Sequence, residues 1–369
     1  MNVKELYNAT LMQTEKIPEK LELTKTVIAE NIAIIKKKPI YDSVEWSIEQ
    51  QERFDDFWNS VYGKRIPNYW HRLYQAASKK YAVDYIPEKL YSTKIEPALN
   101  EYRYAKVLED KALIETISGN CGCVVPKTLL LHSNGAFYDA NRRLISRGDA
   151  EKVLLDADSV VIKPTRGSSS GKGISFLEGD GLKESVRALL VSNKNDYIVQ
   201  RKIKQNKIFE SFNSSSVNTI RIITYIVGSD IHHVPIAFRI GRSGKQVDNI
   251  HAGGLVIGVS DDGTLLDYAY ELGYGYKTTR FKRHPDNNKL FKGNILPMIP
   301  EIISAAYRVH ERLSHIGIVS WDFTVDDTDN VVVIEANIRG QSIWFPQIVH
   351  GKGAFGEHTK EVLSVIKSR

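Results

Sequence analysis

The 369-residue chain has only two cysteines, Cys121 and Cys123, with a single residue between them. That spacing suits neither an ordinary disulfide nor a four-ligand zinc site without further partners. A disulfide scaffold and a zinc module are excluded, and two free thiols in a reducing compartment are expected. No apolar run reaches membrane-spanning length, and the start Met1-Asn2-Val3-Lys4-Glu5-Leu6 lacks an apolar signal core, so the expected location is cytoplasmic. Low-complexity tracts and internal repeats are missing. Strong charge is missing too: the net charge is +6. The longest basic run, Lys36-Lys37-Lys38, ends a helical pattern, where cations favour the helix dipole, and reads as a solvated helix end. Without a basic stripe interleaved with aromatics, nucleic-acid binding is excluded, whereas an anionic substrate suits the small excess.

A hydrophobic content of 42% is enough for two or three packed units. The first hundred residues read as helices over 21–38, stopped by Pro39, over 47–62, and from Pro67 to Tyr81. Trp46, Trp58 and Trp70 are expected core anchors. Pro87 and Pro97 mark an irregular connection. A helix then runs from about Tyr104 to Ser118, and strands follow at 128–132, 160–163 and 174–177, with a helix over 182–192. From Tyr197 the pattern is mostly strands, with helices over 298–313 and 356–366. Strands flanked by a few long helices give an α+β fold. The expected divisions are a helical region over 1–103, a lobe over 104–196 and a second lobe over 197–369.

Two distant segments carry the chemistry. Val160-Val161-Ile162-Lys163 reads as a strand ending in a lysine. It leads into Gly167-Ser168-Ser169-Ser170-Gly171-Lys172-Gly173, a loop rich in free N–H groups of the kind that cradle phosphates. The loop is one residue short of a Walker motif, carries Gly173 where a hydroxyl would bind Mg²⁺, and precedes a strand-like Ile174-Ser175-Phe176-Leu177. It therefore reads as a flap between two antiparallel strands. The second segment is Ser320-Trp321-Asp322-Phe323, then Glu335-Ala336-Asn337. Residues two apart on a strand share a face, so Glu335 and Asn337 can hold one hard cation with Asp322 beside them. A phosphate cradle plus an oxygen-rich cation seat implies ATP chemistry.

In this order and spacing, these motifs resemble the ATP-grasp superfamily, which includes the D-alanine–D-alanine ligases. The chain is more similar to the sugar-transfer-associated ATP-grasp proteins, through Ser216-Val217-Asn218-Thr219-Ile220-Arg221, Val247-Asp248-Asn249 with Gly253-Gly254, His284-Pro285-Asp286 and the stretch from Gly293 to Pro297. The match runs from about Tyr85 to the C-terminus. It implies ATP clamped between two α+β lobes after the helical region. Lys111 and Lys163 would meet the phosphates, with Gly167 to Gly171 and Gly173 folded over them. Gln200, Arg201, Lys202 and Ile203 would form the hinge beside adenine, and Asn206 or Glu210 would meet the ribose. Asp322, Glu335 and Asn337 would hold Mg²⁺, with Mn²⁺ as a substitute.

The cations Arg221, Arg239 and Arg339 lie near this set. The first two sit in apolar strands, where an unpaired charge is costly, so each needs a carboxylate or an anionic ligand. We expect the ligand. Ala237-Phe238-Arg239 with Asn249, His251, Gly253 and Gly254 also resembles glutamate ligases acting on protein tails, which implies a substrate role for Asn249, His251 and Gly253. D-alanine ligases carry arginine where this chain has Ser320, so Arg221 or Arg239 would cover that role. His284 reads as a turn residue.

The resemblance implies an ATP-dependent carboxylate–amine ligase working through an acyl phosphate, with small-molecule carboxylate and amine substrates, sugar-linked in a polysaccharide-building context and associated with polysaccharide assembly enzymes. Two alternatives stand beside it: a kinase acting on a hydroxyl, and a nucleotide-gated scaffold without catalysis.

Overall fold

The computed structural model describes residues 17–367 apart from 168–172, 180–181, 192–194, 246–247, 251–252 and 273–277. The chain divides into two units, residues 103–341 and residues 1–102 with 342–369. This departs from the expected divisions in two places. The strand Tyr197–Arg201 pairs within the sheet that also holds Ser159–Pro164, so no boundary falls at 197. The C-terminal helices Trp344–His350 and Thr359–Ser364 bury Phe345, Ile348, Val362 and Leu363 within the unit of the N-terminal helices.

In the helical unit, Ser47 caps Ile48–Tyr62 through a reciprocal pair with Gln50, and Gly63 closes it in the left-handed conformation. Phe54, Trp58, Trp70, Tyr74 and Tyr85 fill its core, as expected of the tryptophans at 58 and 70. Pro39 does not stop a helix. It stands in the first turn of Lys38–Asp42, where its missing N–H is harmless. The kink before that turn aims Lys37 inward, with Nζ 4.8 Å from the Trp70 ring centroid. Burial lowers the ammonium pKa to about 8, against the pull of Glu30 and Glu88. So Lys37 is not solvated. The connection between Pro87 and Pro97 is also helical, running Glu88–Leu90, Tyr91–Ile95 in a π turn and Glu96–Leu99. Pro97 fits because it opens the last of these.

His71 lies buried beside Trp58, and burial depresses its pKa from 6.5 to about 3, outweighing its backbone carbonyl contacts. A histidine kept neutral in the fold but free to protonate when unfolded gives stability present above pH 6.5 and lost as pH falls towards 3. Buried carboxylates such as Glu88, raised by desolvation, act in the opposite sense. The histidine's share is therefore read as a difference. The thermal midpoint gap between wild type and His71→Phe is expected to narrow from pH 7 to pH 4.5, by roughly 2–3 kcal/mol of stability. A constant gap in calorimetric scans would contradict this.

The other unit is built on two antiparallel sheets. The smaller holds β1 (Thr128–Ser133), β2 (Ala136–Tyr138), β3 (Leu144–Ile145), β4 (Ser159–Pro164), β5 (Ser175–Glu178) and β6 (Tyr197–Arg201) in the order β3-β2-β1-β6-β4-β5. The larger holds β7 (Thr219–Val227), β8 (Asp230–His233), β9 (Ile236–Ile240), β10 (Leu255–Val259), β11 (Leu265–Leu272), β12 (Thr278–Phe281), β13 (Ile318–Val325) and β14 (Val331–Asn337). Its order is β12-β11-β10-β9-β7-β13-β14, with β8 on β7. One face carries the core: Ile220, Ile222, Phe238, Leu255, Ile257, Ala269, Trp321 and Phe323 pack with Ile299, Ile302 and Val309 of the helix Ile299–His310. Strand side chains alternate, so the residues between these occupy the opposite face.

Candidate active site

A single helix from Tyr104 to Ser118 is not what forms. Asp110 takes the amide of Ala112 at 3.0 Å and starts a new helix, Lys111–Asn120, after Tyr102–Leu108. The Lys111 amide also donates to the Thr165 carbonyl at 2.9 Å, fastening this turn to the end of β4. On β4 and β6, Val160, Ile162, Tyr197 and Val199 enter a core with Leu130 and Leu154. Alternation places Val161, Lys163, Ile198 and Gln200 on the other face, where the register sets Val161 opposite Gln200.

On the large sheet, Asp322 is opposite Glu335 on one side and Arg221 on the other. Ser320 is opposite Asn337, and Thr219 opposite Arg239. Opposed residues of antiparallel strands share a face, so all of these lie on the face turned away from the core. The two open faces meet. Lys111 Nζ stands 2.9 Å from Glu335 Oε1, and one cleft is lined by Lys111, Glu115, Ser118, Lys163, Gln200, Glu335 and Ala336.

The charges are densely paired. Asp322 Oδ1 accepts from Arg221 Nε at 2.6 Å and from an Arg239 nitrogen at 3.0 Å. Oδ2 accepts from the same two guanidiniums at 3.0 and 3.1 Å. Arg239 also reaches Asp248 at 2.8 Å, and Asp248 takes the Thr219 hydroxyl. Burial works to raise the Asp322 carboxyl, but the two arginines outweigh it and hold it below the usual range. Burial wins at Asp248, which is raised despite Arg239. Burial also pushes the Lys163 ammonium down, with Lys111 adding to that and Glu335, Glu115 and Asp322 opposing it.

Arg221 and Arg239 thus pair with carboxylates rather than awaiting a ligand alone: with these neighbours, the cost of burying them is offset inside the protein. Arg339 is drawn elsewhere, gripping Glu109 at 2.7 and 2.9 Å between the end of β14 and the turn before Lys111. Asn249 and Gly253 follow Asp248 in sequence, and the Gly254 amide donates to the Asn249 carbonyl at 3.0 Å. A Cβ on Gly254 would stand 2.5 Å from the Asp248 carbonyl oxygen, so only glycine fits there. Gly167 and Gly173 border the β4–β5 hairpin with φ of +73° and +77°. Ser168, Ser169, Ser170, Gly171 and His251 lie outside the described residues. Arg201, Lys202 and Ile203 are not among the residues that line this cleft with Gln200. They line a neighbouring cavity with residues 124–127 and Asp326. Asn206 caps the short helix Lys207–Glu210 and donates to Asp329, which are structural contacts. His284 has both ring nitrogens in hydrogen-bond contact with backbone groups of Gly241 and Asp286.

Two residues of the site were not singled out from sequence. Asp248 lies inside a quoted motif but had no role, and its signal was an acid in the connection after the apolar strand that holds Arg239. Glu115 is one helical turn after Lys111, on the same face. It accepts from Thr128 at 2.6 Å and from Gln200 Nε2 at 3.0 Å.

A family model described as sugar-transfer associated ATP-grasp matches residues 90–362. The chain belongs to this family. Its fold is the ATP-grasp fold, α+β, after a helical N-terminal region. A comparison with curated proteins gives no significant match. Among solved structures, it is similar to a RiPP-associated ATP-grasp ligase from Chryseobacterium gregarium, in complex with ADP and a leader and core peptide. Identity is 15%, over 73% of this chain and 62% of that one, with a TM-score of 0.43. D-alanine–D-alanine ligase from Bacillus anthracis matches at 16% identity, 73% and 69% coverage and a TM-score of 0.40. N5-carboxyaminoimidazole synthetase from Staphylococcus aureus, complexed with ADP, matches at 10% identity, 66% and 48% coverage and a TM-score of 0.41. The chain thus spans about half the length of such synthetases.

Proposed function

We propose that this ATP-grasp family member is an ATP-dependent ligase that joins a carboxylate to an amine through an acyl phosphate. The observation that carries the proposal is that Lys111, Lys163, Gln200 and Glu335 line one cleft, with Asp322, held by Arg221 and Arg239, opposite Glu335 on the neighbouring strand. The lysines suit a polyphosphate. Among the described residues, two atoms of the same region are buried without a hydrogen-bond partner: Gln200 Oε1, able to accept from an adenine amine, and Ser118 Oγ. The backbone of Gln200 to Ile203 would read the remaining adenine edge.

The donor set fits Mg²⁺. Asp322, Glu335 and Asn337 offer hard oxygens from paired strands. An ion held there would keep waters and substrate phosphates as its other ligands, as Mg²⁺ prefers. When bound, the metal would offset phosphate charge as a Lewis acid. The residues divide the remaining work. Lys111 and Lys163 steady the triphosphate while a substrate carboxylate oxygen attacks the terminal phosphorus and ADP departs. Arg221 and Arg239 hold the acyl phosphate and the tetrahedral adduct that forms when the amine attacks the acyl carbon. Phosphate leaves, and the amine nitrogen loses a proton. The family's description, sugar-transfer associated, supports a sugar-linked substrate, and a place beside polysaccharide assembly enzymes is part of the same proposal.

The test is ADP release across sugar acids, amino sugars and amino acids, with hydroxylamine present. Hydroxamate formation is expected. ADP release accompanied by a phosphorylated alcohol and no hydroxamate would make the enzyme a kinase. Tryptic cutting after the exposed Arg166, at the flap's entrance, should also fall with a non-hydrolysable ATP analogue and Mg²⁺. Equal cutting with and without the analogue would separate the flap from the nucleotide site.

No helix of the described residues is long and apolar enough to cross a membrane.

A further inference from the structure

The face of the large sheet turned away from the core does not end at Arg239, although Val256 and Tyr270 on it are buried. Register carries it outward: Arg239 is opposite Val256, Val256 opposite Tyr270, and Tyr270 opposite Arg280. Tyr268, two residues from Tyr270 on the same strand, shares that face. The alternate residues confirm the sidedness, because Ala269 lies in the core and Phe281 packs against it. The Arg280 guanidinium sits 4.1 Å from the Tyr268 ring centroid and 5.8 Å from that of Tyr270, and Lys282 Nζ sits 5.7 Å from the Tyr268 ring.

These two cations differ from the others on the face. Arg221 and Arg239, on the sheet itself, each have a carboxylate within ion-pair distance. Among the described residues, Arg280 and Lys282 have aromatic rings and no carboxylate partner. The inner part of the face is thus internally neutralised, and its outer end carries uncompensated positive charge on tyrosine rings. Phenol hydroxyls and ring faces suit a polyhydroxylated ligand, and the free cations suit an anion on it. Strands are spaced about 4.8 Å apart, so three steps from β9 to β12 put Arg280 roughly 14 Å from the Arg239 column.

We propose that Tyr268, Tyr270, Arg280 and Lys282 form an acceptor subsite for an anionic sugar whose anion lies on the order of 10–15 Å from its reacting group, a span set by the strand spacing. A free amino acid is too short to bridge the two positions. The inference rests on the ligase reading, which places the reacting group near Arg239. The anion's source is a phosphate or a carboxylate, and the probes below separate the two.

The experiment is calorimetric titration of the full chain, first with the ATP analogue AMP-PNP and Mg²⁺, then with UDP-glucuronate, glucose 1-phosphate, glucuronate or glucose. The wild type should bind at least one anionic probe and not glucose. Tighter binding of glucose 1-phosphate than of glucuronate would assign a phosphate, and the reverse a carboxylate. UDP-glucuronate, with anions at both ends, should bind most tightly. In Arg280→Gln/Lys282→Gln, affinity for the anionic probes should fall at least tenfold while nucleotide affinity stays within twofold. Among the described residues neither side chain has a carboxylate partner, so the thermal midpoint should hold within a few degrees. Arg280→Lys alone should keep most of the affinity, which a general folding defect would not allow. If the nucleotide binds but no anionic probe does, or if the double variant binds the probes as wild type does, the subsite is overturned and the ligase reading stands. If Mg-nucleotide fails to bind the wild type, the ligase reading falls and the subsite with it.

Discussion

Asp322→Asn is expected to stop turnover and to weaken the fold, whereas Glu335→Gln stops turnover and leaves the fold nearly intact. Both changes remove a carboxylate proposed to seat the metal, so each should lower kcat on the order of 10²-fold or more. Their structural settings differ. Asp322 accepts four hydrogen bonds from Arg221 and Arg239, with its side chain 8% exposed. A neutral amide there leaves two buried guanidiniums with Asp248 as the principal remaining acid, and breaking such a pair costs roughly 3–5 kcal/mol. Among the described residues Glu335 has one ion pair, to Lys111, and its side chain is 25% exposed, so its loss is a small perturbation. Thermal scans and steady-state ADP release on the same preparations check both parts. Equal midpoints for the two variants would mean that the arginines do not depend on Asp322, and turnover within threefold of wild type would remove the metal seat.

The motifs with chemistry were legible because each is local. Lys163 ending a strand, the glycine-bounded hairpin, and Asp322 with Glu335 and Asn337 all sit on the strands expected of them. What sequence could not give was pairing across distance. The arginines at 221 and 239 needed partners, but which carboxylate supplied them depended on the strand order β9-β7-β13, which no spacing encodes. Arg339 looked central beside Glu335, yet it follows β14 and turns to Glu109. The split between Leu108 and Lys111 was missed for a different reason: the apolar pattern continues across it, and only the Asp110 cap marks the break. Lys37 was missed because helical periodicity does not register a kink.

Lys163→Ala should do the reverse of Asp322→Asn, weakening nucleotide binding while raising the stability of the ligand-free protein. Among the described residues, Lys163 Nζ has no hydrogen bond or ion pair, and burial lowers the pKa of its ammonium against the pull of Glu335 and Glu115. An ammonium held this way costs free energy until an anion arrives. Removing it relieves that cost, so the thermal midpoint without nucleotide should stay level or rise. With Mg-ATP present, the variant loses a charge-assisted contact of roughly 1.5–3 kcal/mol, about ten- to a hundredfold in affinity. Calorimetry with AMP-PNP and thermal scans with and without it test both halves. A structural lysine predicts the opposite pair of results, a lower midpoint and unchanged affinity. That outcome would take Lys163 out of the phosphate site and leave Lys111, already held by Glu335, as the lysine of the cleft.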